Sequence, residues 1–201
     1  MTSHTNPSPT LIGTLWPATV ATSVWRALIL VVAGAILLTL SARLKVPFYP
    51  VPMTMQTFIV VVVGVAYGWR LSAATLLLYL AAGAIGLPVF ADTPEKGVGI
   101  PYMLGPTGGY LAGFVVAAAW LGALAQRGWD RSVPWLFALA MLGHTVIFAL
   151  GVAWLARLVG FERAWAVGVA PFYLATLLKC ALATAVVWAG WHFGRFCARP
   201  P

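Results

Sequence analysis

One charged residue of this chain, Lys179, falls well inside an apolar run. It lies eight residues beyond Pro171, ~12 Å along a helix. An ionisable group at that depth costs free energy unless it is paired or wet, and such residues mark solute sites in membrane proteins. Lys179 therefore reads as a polar anchor for an anionic or carbonyl-rich ligand, against the plainer reading that its chain snorkels to the interface. His144, between Gly143 and Thr145, is the other ionisable group placed mid-run. A buried imidazole either bonds a neighbouring helix or touches a ligand. Gln56 and Thr57 are uncharged polar groups at the start of another apolar run, where they can cap a helix or bind. The segment Leu104-Gly-Pro-Thr-Gly-Gly-Tyr110 puts Thr107 and Tyr110 beside glycines that expose backbone N–H groups at a helix start, a place suited to a carboxylate or carbonyl oxygen.

Covalent catalysis finds little material. The chain has only four acids. Asp130 and Glu162 lie in connections beside arginines, and Asp92 and Glu95 share a loop without a metal-binding motif. No serine or cysteine has a recognised nucleophile setting, and there is no nucleotide-binding P-loop. The expectation is a binding protein, without metal or cofactor, that takes energy from a partner or a gradient.

Of the 201 residues, 62% are apolar and 8% charged. Soluble domains run nearer half and a quarter, so lipid is the solvent this surface fits. The net charge is +8, but the cations are dispersed and sit at the ends of apolar runs. A nucleic-acid footprint is a clustered basic face, so nucleic acid is excluded; these cations are interfacial anchors. Cys180 and Cys197 have neither metal-ligand spacing nor a framework partner. Residues 1–23 read as a disordered N-terminal tail without a signal sequence, and 24–197 as one transmembrane domain.

Apolar runs of helical length extend over about Val24–Ala42, Met53–Gly68, Leu71–Leu87, Pro106–Ala125, Val133–Leu158 and Pro171–Phe196. The expected fold is all-α, a bundle of six transmembrane helices. The second run is short for a ~30 Å hydrocarbon core, and with the third it also fits a re-entrant pair. A proline-rich loop, Lys45 to Met53, must be extended or turned. Loop three, Pro88 to Gly105, carries Asp92, Glu95 and Lys96, and loop five is Gly160 to Ala170. An alternating path puts these three loops on one face and tight turns on the other, at Trp69-Arg70 and Arg127–Ser132. The cations split almost evenly between the faces, so charge does not orient the chain.

Small residues set the packing. Gly105, Gly109, Gly113 and Ala117 form a stripe on the fourth run that admits a close helix. Thr19, Ser23, Ala27, Val31, Ala35 and Thr39 form a ridge on the first, for packing within the bundle or for docking a second membrane protein.

Together these motifs resemble the BioY family, biotin-binding S components of energy-coupling-factor (ECF) importers. The matching stretches are Pro50-Val-Pro-Met-Thr-Met-Gln-Thr57, Gly83-Ala-Ile-Gly-Leu-Pro-Val-Phe90, Leu104-Gly-Pro-Thr-Gly-Gly-Tyr-Leu111, and Pro171-Phe172 followed by Lys179. The resemblance covers residues 25 to 195. It implies a six-helix S-component fold in the inner membrane of a prokaryote, both termini cytoplasmic, with biotin held near the outer face beneath loops one and three. It also implies a membrane scaffold (T) subunit and two ATPase (A) subunits as partners, the first helix facing the scaffold through Ala27, Val31 and Ala35. Lys179 matches a residue that contacts the ureido head of biotin. Many relatives carry Pro-Gly-Asp where this chain has Leu174-Ala175-Thr176, so a hydroxyl replaces the acceptor of the ureido N–H bonds. An asparagine of loop three and an arginine after Gly-Gly-Tyr are replaced by Gly97 and Leu111. The polar shell is then rebuilt from Gln56, Glu95, Lys96, Thr107, Tyr110, His144 or Thr176, while Phe48, Tyr49, Tyr79 and Tyr110 pack the ring. Biotin capture, with an ATPase module or alone, stands first. An S component for another vitamin and a membrane scaffold that binds no solute are the alternatives.

Overall fold

Apolar sequence with helical propensity leaves backbone groups in lipid only one open-chain solution, the helix. A computed structural model describes residues 8–17, 22–46 and 51–197. Its helices are α1 (Leu11–Leu15), α2 (Ser23–Arg43), α3 (Gln56–Tyr67), α4 (Trp69–Ala84), α5 (Gly99–Met103), α6 (Gly108–Leu124), α7 (Val133–Val159), α8 (Phe161–Gly168) and α9 (Tyr173–Cys197). Four helical stretches are long and apolar enough to cross a membrane: Ser23–Arg43, Gly108–Ala125, Val133–Val159 and Phe161–Gly194. The helices α3 and α4 are apolar but shorter, with 12 and 16 residues. Helices stand at all the expected runs, and among the described residues those of spanning length number four.

The length of α3 follows from its place. Val60, Val61, Val63, Gly64, Val65 and Ala66 are all buried, so protein covers almost its whole circumference. Helix α6 is the hub and packs on α3, α4 and α7. Its small-residue stripe makes this possible: a β-carbon built on Gly113 would lie 3.0 Å from Ile147 Cα and 3.2 Å from its carbonyl oxygen, both backbone atoms of α7. Gly105 stands outside α6, and its carbonyl accepts a bond from Trp154 Nε1 at 3.0 Å. On α2, Ala27, Val31 and Ala35 are half-buried, flanking the buried line Leu30, Gly34 and Leu38.

Three connections differ from expectation. Within the predicted tail, residues 8–16 are ordered: Thr10 caps α1 by accepting from Gly13 N at 3.2 Å, and Leu11 is buried. This segment straps one end of the bundle, with Ser8 N donating to Gln126 O, Arg131 to Pro9 O and Arg26 to Ile12 O. Residues 1–7 lie outside the described residues. Loop three contains α5, and loop five is largely α8, an amphipathic helix that buries Ala164 and Gly168 and exposes Phe161 and Trp165.

The faces sort as the alternating path requires. Tyr102 bonds Ala91 within loop three, Arg43 at the end of α2 reaches that loop, and Tyr110 reaches Gly168 at the end of α8. Gly68, at φ 78°, makes the α3–α4 turn at the other end, against Thr10 and Gln126. Leu11 also packs on Gly190 of α9, so the described parts of both terminal segments share that end.

Because α6 meets backbone rather than side chain at Gly113, Gly113→Leu has no flexible neighbour to displace. Overpacking of this kind costs about 1–3 kcal/mol. The variant is expected to melt several degrees below the wild type in detergent; melting together with it would contradict this helix contact.

Candidate functional site

Loop one begins the site. Its prolines bar helix, and the flanks close as a two-strand ribbon of β1 (Lys45–Val46) and β2 (Met53–Thr54), with Lys45 opposite Thr54 and Val46 opposite Met53. The ribbon delivers the Thr54 carbonyl to the top of α9. There Lys179 Nζ donates to Thr54 O at 2.6 Å and to Thr57 Oγ1 at 3.3 Å. The side chain is turned into the bundle and the residue is only 9% exposed, which rules out the snorkelling geometry.

From Thr54 a polar chain crosses the bundle. Thr54 Oγ1 donates to Gln56 Oε1 at 3.2 Å, Gln56 Nε2 to Tyr79 OH at 2.6 Å, and Tyr79 OH to the Val89 carbonyl at 3.2 Å. Thr54, Gln56 and Tyr79 thus satisfy one another along this polar relay, as burial demands. The far end lies in loop three, where Phe90 stacks on Tyr102 at 5.0 Å and meets Tyr79 edge-on at 5.4 Å.

Between these parts lies a cavity of about 50 Å³. Val51 and Pro52 roof it with Ala91 and Tyr102; Thr107 comes from the N-cap of α6, Tyr110, Leu111 and Phe114 from α6 itself, Phe148 from α7, Phe172 from the turn before α9, and Lys179 supplies its one charge. A second hollow of about 410 Å³ lies between α7, α8 and α9, with His144, Thr145, Phe148 and Thr176 in its wall.

Cations and one acid clamp the two lids together. Arg43 donates to the carbonyls of Thr93 at 2.8 Å and Pro88 at 2.5 Å. Asp92 accepts from Lys45 of the ribbon and from Lys96 of its own loop at 2.7 Å. Partial burial pushes the Asp92 carboxyl upward, but the bonds from Lys45 and Lys96 outweigh it and hold the pKa below the ordinary value.

Known proteins resemble this chain in sequence and in fold. The family model described as the BioY family matches residues 11–195. The chain belongs to the BioY family. A probable biotin transporter BioY of Pyrococcus horikoshii is 38% identical over 150 residues, covering 75% of this chain and 86% of the relative. A biotin transporter BioY of Thermotoga maritima is 36% identical over 151 residues, with the same coverages of 75% and 86%. A solved structure, the S-component for biotin from an ECF-type ABC transporter, aligns with a TM-score of 0.71 over 91% of this chain and 96% of that one. At 19% identity that likeness establishes a shared fold. Membership of a transporter family and helices of spanning length make this a membrane protein.

Among the residues expected in this BioY chain's site, Lys179, Gln56, Thr107 and Tyr110 do line the central cavity. Tyr79 stands behind them and supports Gln56. One expectation is corrected: Glu95 and Lys96 are exposed on the outside of loop three, where Lys96 pairs with Asp92. His144 and Thr176 are buried but line the second hollow, on the far side of Phe148. Phe48 and Tyr49 lie outside the described residues. Sequence reading missed Phe148 and Tyr102 as cavity walls, since an aromatic in an apolar run carries no directional signal. It also missed the clamp of Lys45 on Asp92, which joins residues far apart in the chain.

The clamp is pH-dependent in a stated direction. A carboxylate whose folded pKa is depressed contributes above its unfolded value, and the contribution is lost as pH falls through the folded one. Partly exposed pairs are worth roughly 0–1 kcal/mol each. Asp92→Asn is therefore expected to raise amide hydrogen exchange over residues 88–98 a few-fold at neutral pH. Acidifying the wild type below the ordinary carboxylate range should reproduce that rise. Exchange unaffected by either change would mean that the clamp does not hold the lid.

Proposed function

We propose that this chain is the membrane-embedded biotin-capture (S) subunit of an ECF-type importer. The observation that carries the reading is Lys179, a cation turned into an otherwise uncharged, aromatic-walled cavity beneath two loops. The ammonium has three protons, and among the described residues it has two partners, Thr54 and Thr57. The remaining donor is free for a ligand carbonyl, and biotin presents one in its ureido ring. The rest of biotin is a compact apolar bicycle with a carboxylate tail, which suits walls of Phe114, Phe148, Phe172 and Tyr110. Two curated relatives at more than a third identity carry biotin transport in their names.

In this reading the six apolar helices α2, α3, α4, α6, α7 and α9 all stand in the bilayer, with the short α3 sheltered by its neighbours. Both termini lie on the cytoplasmic side of a prokaryotic inner membrane, and the lids face outward. The scaffold (T) subunit and the ATPase (A) subunits supply the energy. Helix α2, the least buried of the four long spans, takes the scaffold along the side bearing Ala27, Val31 and Ala35. The chain itself performs no covalent chemistry.

Biotin titrated into the purified full chain is expected to give saturable one-to-one heat. Lys179→Ala should weaken it at least tenfold, about 1.4 kcal/mol, without unfolding the bundle. Unchanged affinity in the variant would refute the role of Lys179. Silence with biotin, but heat with another vitamin, would replace the substrate.

A further inference from the structure

The central cavity is too small for the ligand just proposed. Pockets for small molecules span ~300–1,000 Å³, and this one measures about 50 Å³. Its neighbour measures about 410 Å³, and the two have one lining residue in common, Phe148. The aromatic ring is the partition, and the second hollow is room into which it can turn.

Behind that ring is a polar atom without a partner. His144 lies one turn before Phe148 on the same face of α7, their ring centroids 6.5 Å apart. His144 is 1% exposed, and among the described residues its Nε2 has no hydrogen-bond partner. Its Nδ1 lies 2.9 Å from the carbonyl oxygen of Ala140, which can only accept. In the neutral ring Nδ1 therefore carries the proton, and Nε2 is left as a bare acceptor. A buried acceptor left empty costs about 1–3 kcal/mol, so a ligand donor placed there gains that back. The ring also touches the lysine's neighbour, Cys180 Sγ lying 3.4 Å from Nδ1.

We propose that Phe148 swings into the second hollow when ligand enters, and that His144 Nε2 then accepts an N–H of the ureido ring whose carbonyl Lys179 binds. This rests on the biotin reading above and assigns the acceptor that Thr176 alone does not supply. A urea offers a carbonyl flanked by two N–H groups, so one donor and one acceptor on adjacent helices read it together. Lys179 on α9 and His144 on α7 are such a pair. Thr176 of α9 lies in the wall of the same hollow as His144 and adds a hydroxyl there.

The test uses the full chain in detergent with biotin and the two isomers of biotin methylated at one ureido nitrogen. One isomer is expected to bind the wild type at least tenfold more weakly than biotin, because its methyl replaces the donated proton. In His144→Leu, biotin should weaken about tenfold and the gap between the two ligands should close. His144→Gln restores an acceptor oxygen and should recover most of both. Phe148→Ala removes the partition, so biotin should associate several-fold faster than with the wild type. Wild-type affinity for biotin in His144→Leu overturns the proposal, as does an equal loss of every ligand without rescue by His144→Gln. Association no faster in Phe148→Ala than in the wild type overturns the moving wall. A wild type that ignores biotin while binding another vitamin defeats the substrate reading itself, which is a separate result.

Discussion

A charged amine inside a greasy bundle is tolerable only where oxygen surrounds it, and that demand on Lys179 organises the upper half of this protein. On insertion scales a lysine at a helix centre costs about 2.5–3.5 kcal/mol. Here the oxygen comes from Thr54 and Thr57, at the junction of the ribbon and α3. The ribbon cannot wander, because its carbonyl is a ligand of the ammonium. Prolines strip loop one of N–H donors, which leaves carbonyls to do the work, and the lysine makes use of one.

That bond needs α9 and α3 held at a fixed separation, and the lower half supplies the rigidity. Val61, Val65, Leu121, Leu139, Cys180, Ala183 and Val187 form one buried cluster beneath the cavity. Helix α6 runs through both halves on its glycine face, so lid, cavity and base share one backbone-to-backbone contact with α7. The strap at α1 closes the opposite end: Ser8 N donates to the Gln126 carbonyl, and the Arg26 and Arg131 side chains donate to the strap's carbonyls at Ile12 and Pro9. The bundle is thus stiff at the base and hydrogen-bonded at the lids.

What the sequence made legible follows the same division. Helix positions could be read because lipid imposes long apolar runs. Lys179 could be read because a charge within such a run has few explanations. The stripe at Gly109 and Gly113 was legible because close helix contact leaves a spacing of four. Glu95 and Lys96 were misplaced for a physical reason: loop direction is set by tertiary partners, here Asp92, which no local pattern announces. His144 was read as buried and is so, but periodicity does not say on which side of Phe148 its ring, or the hydroxyl of Thr176, will lie. Ordered residues 8–16 were missed because Leu11–Leu15 is too short to register as a helix and owes its order to the groove at Gly190.

The polar chain from Lys179 through Thr54, Gln56 and Tyr79 to Val89 has a consequence for how the lids respond to a solute. It starts at the one charge in the cavity and ends on the backbone of loop three, passing through the ribbon of loop one on the way. A ligand carbonyl that draws the ammonium toward itself weakens the hold on Thr54. A ligand that binds without disturbing it leaves both lids as they are. Linkage is reciprocal: whatever the solute does to the Thr54 contact, the position of the ribbon does to the affinity for the solute. Loop three feels the same shift through Tyr79, while the clamp of Lys45 on Asp92 ties it to the ribbon a second time. The two lids are therefore bound to move as a unit, since separating them would break the bonds at Asp92 and strand buried partners along the chain.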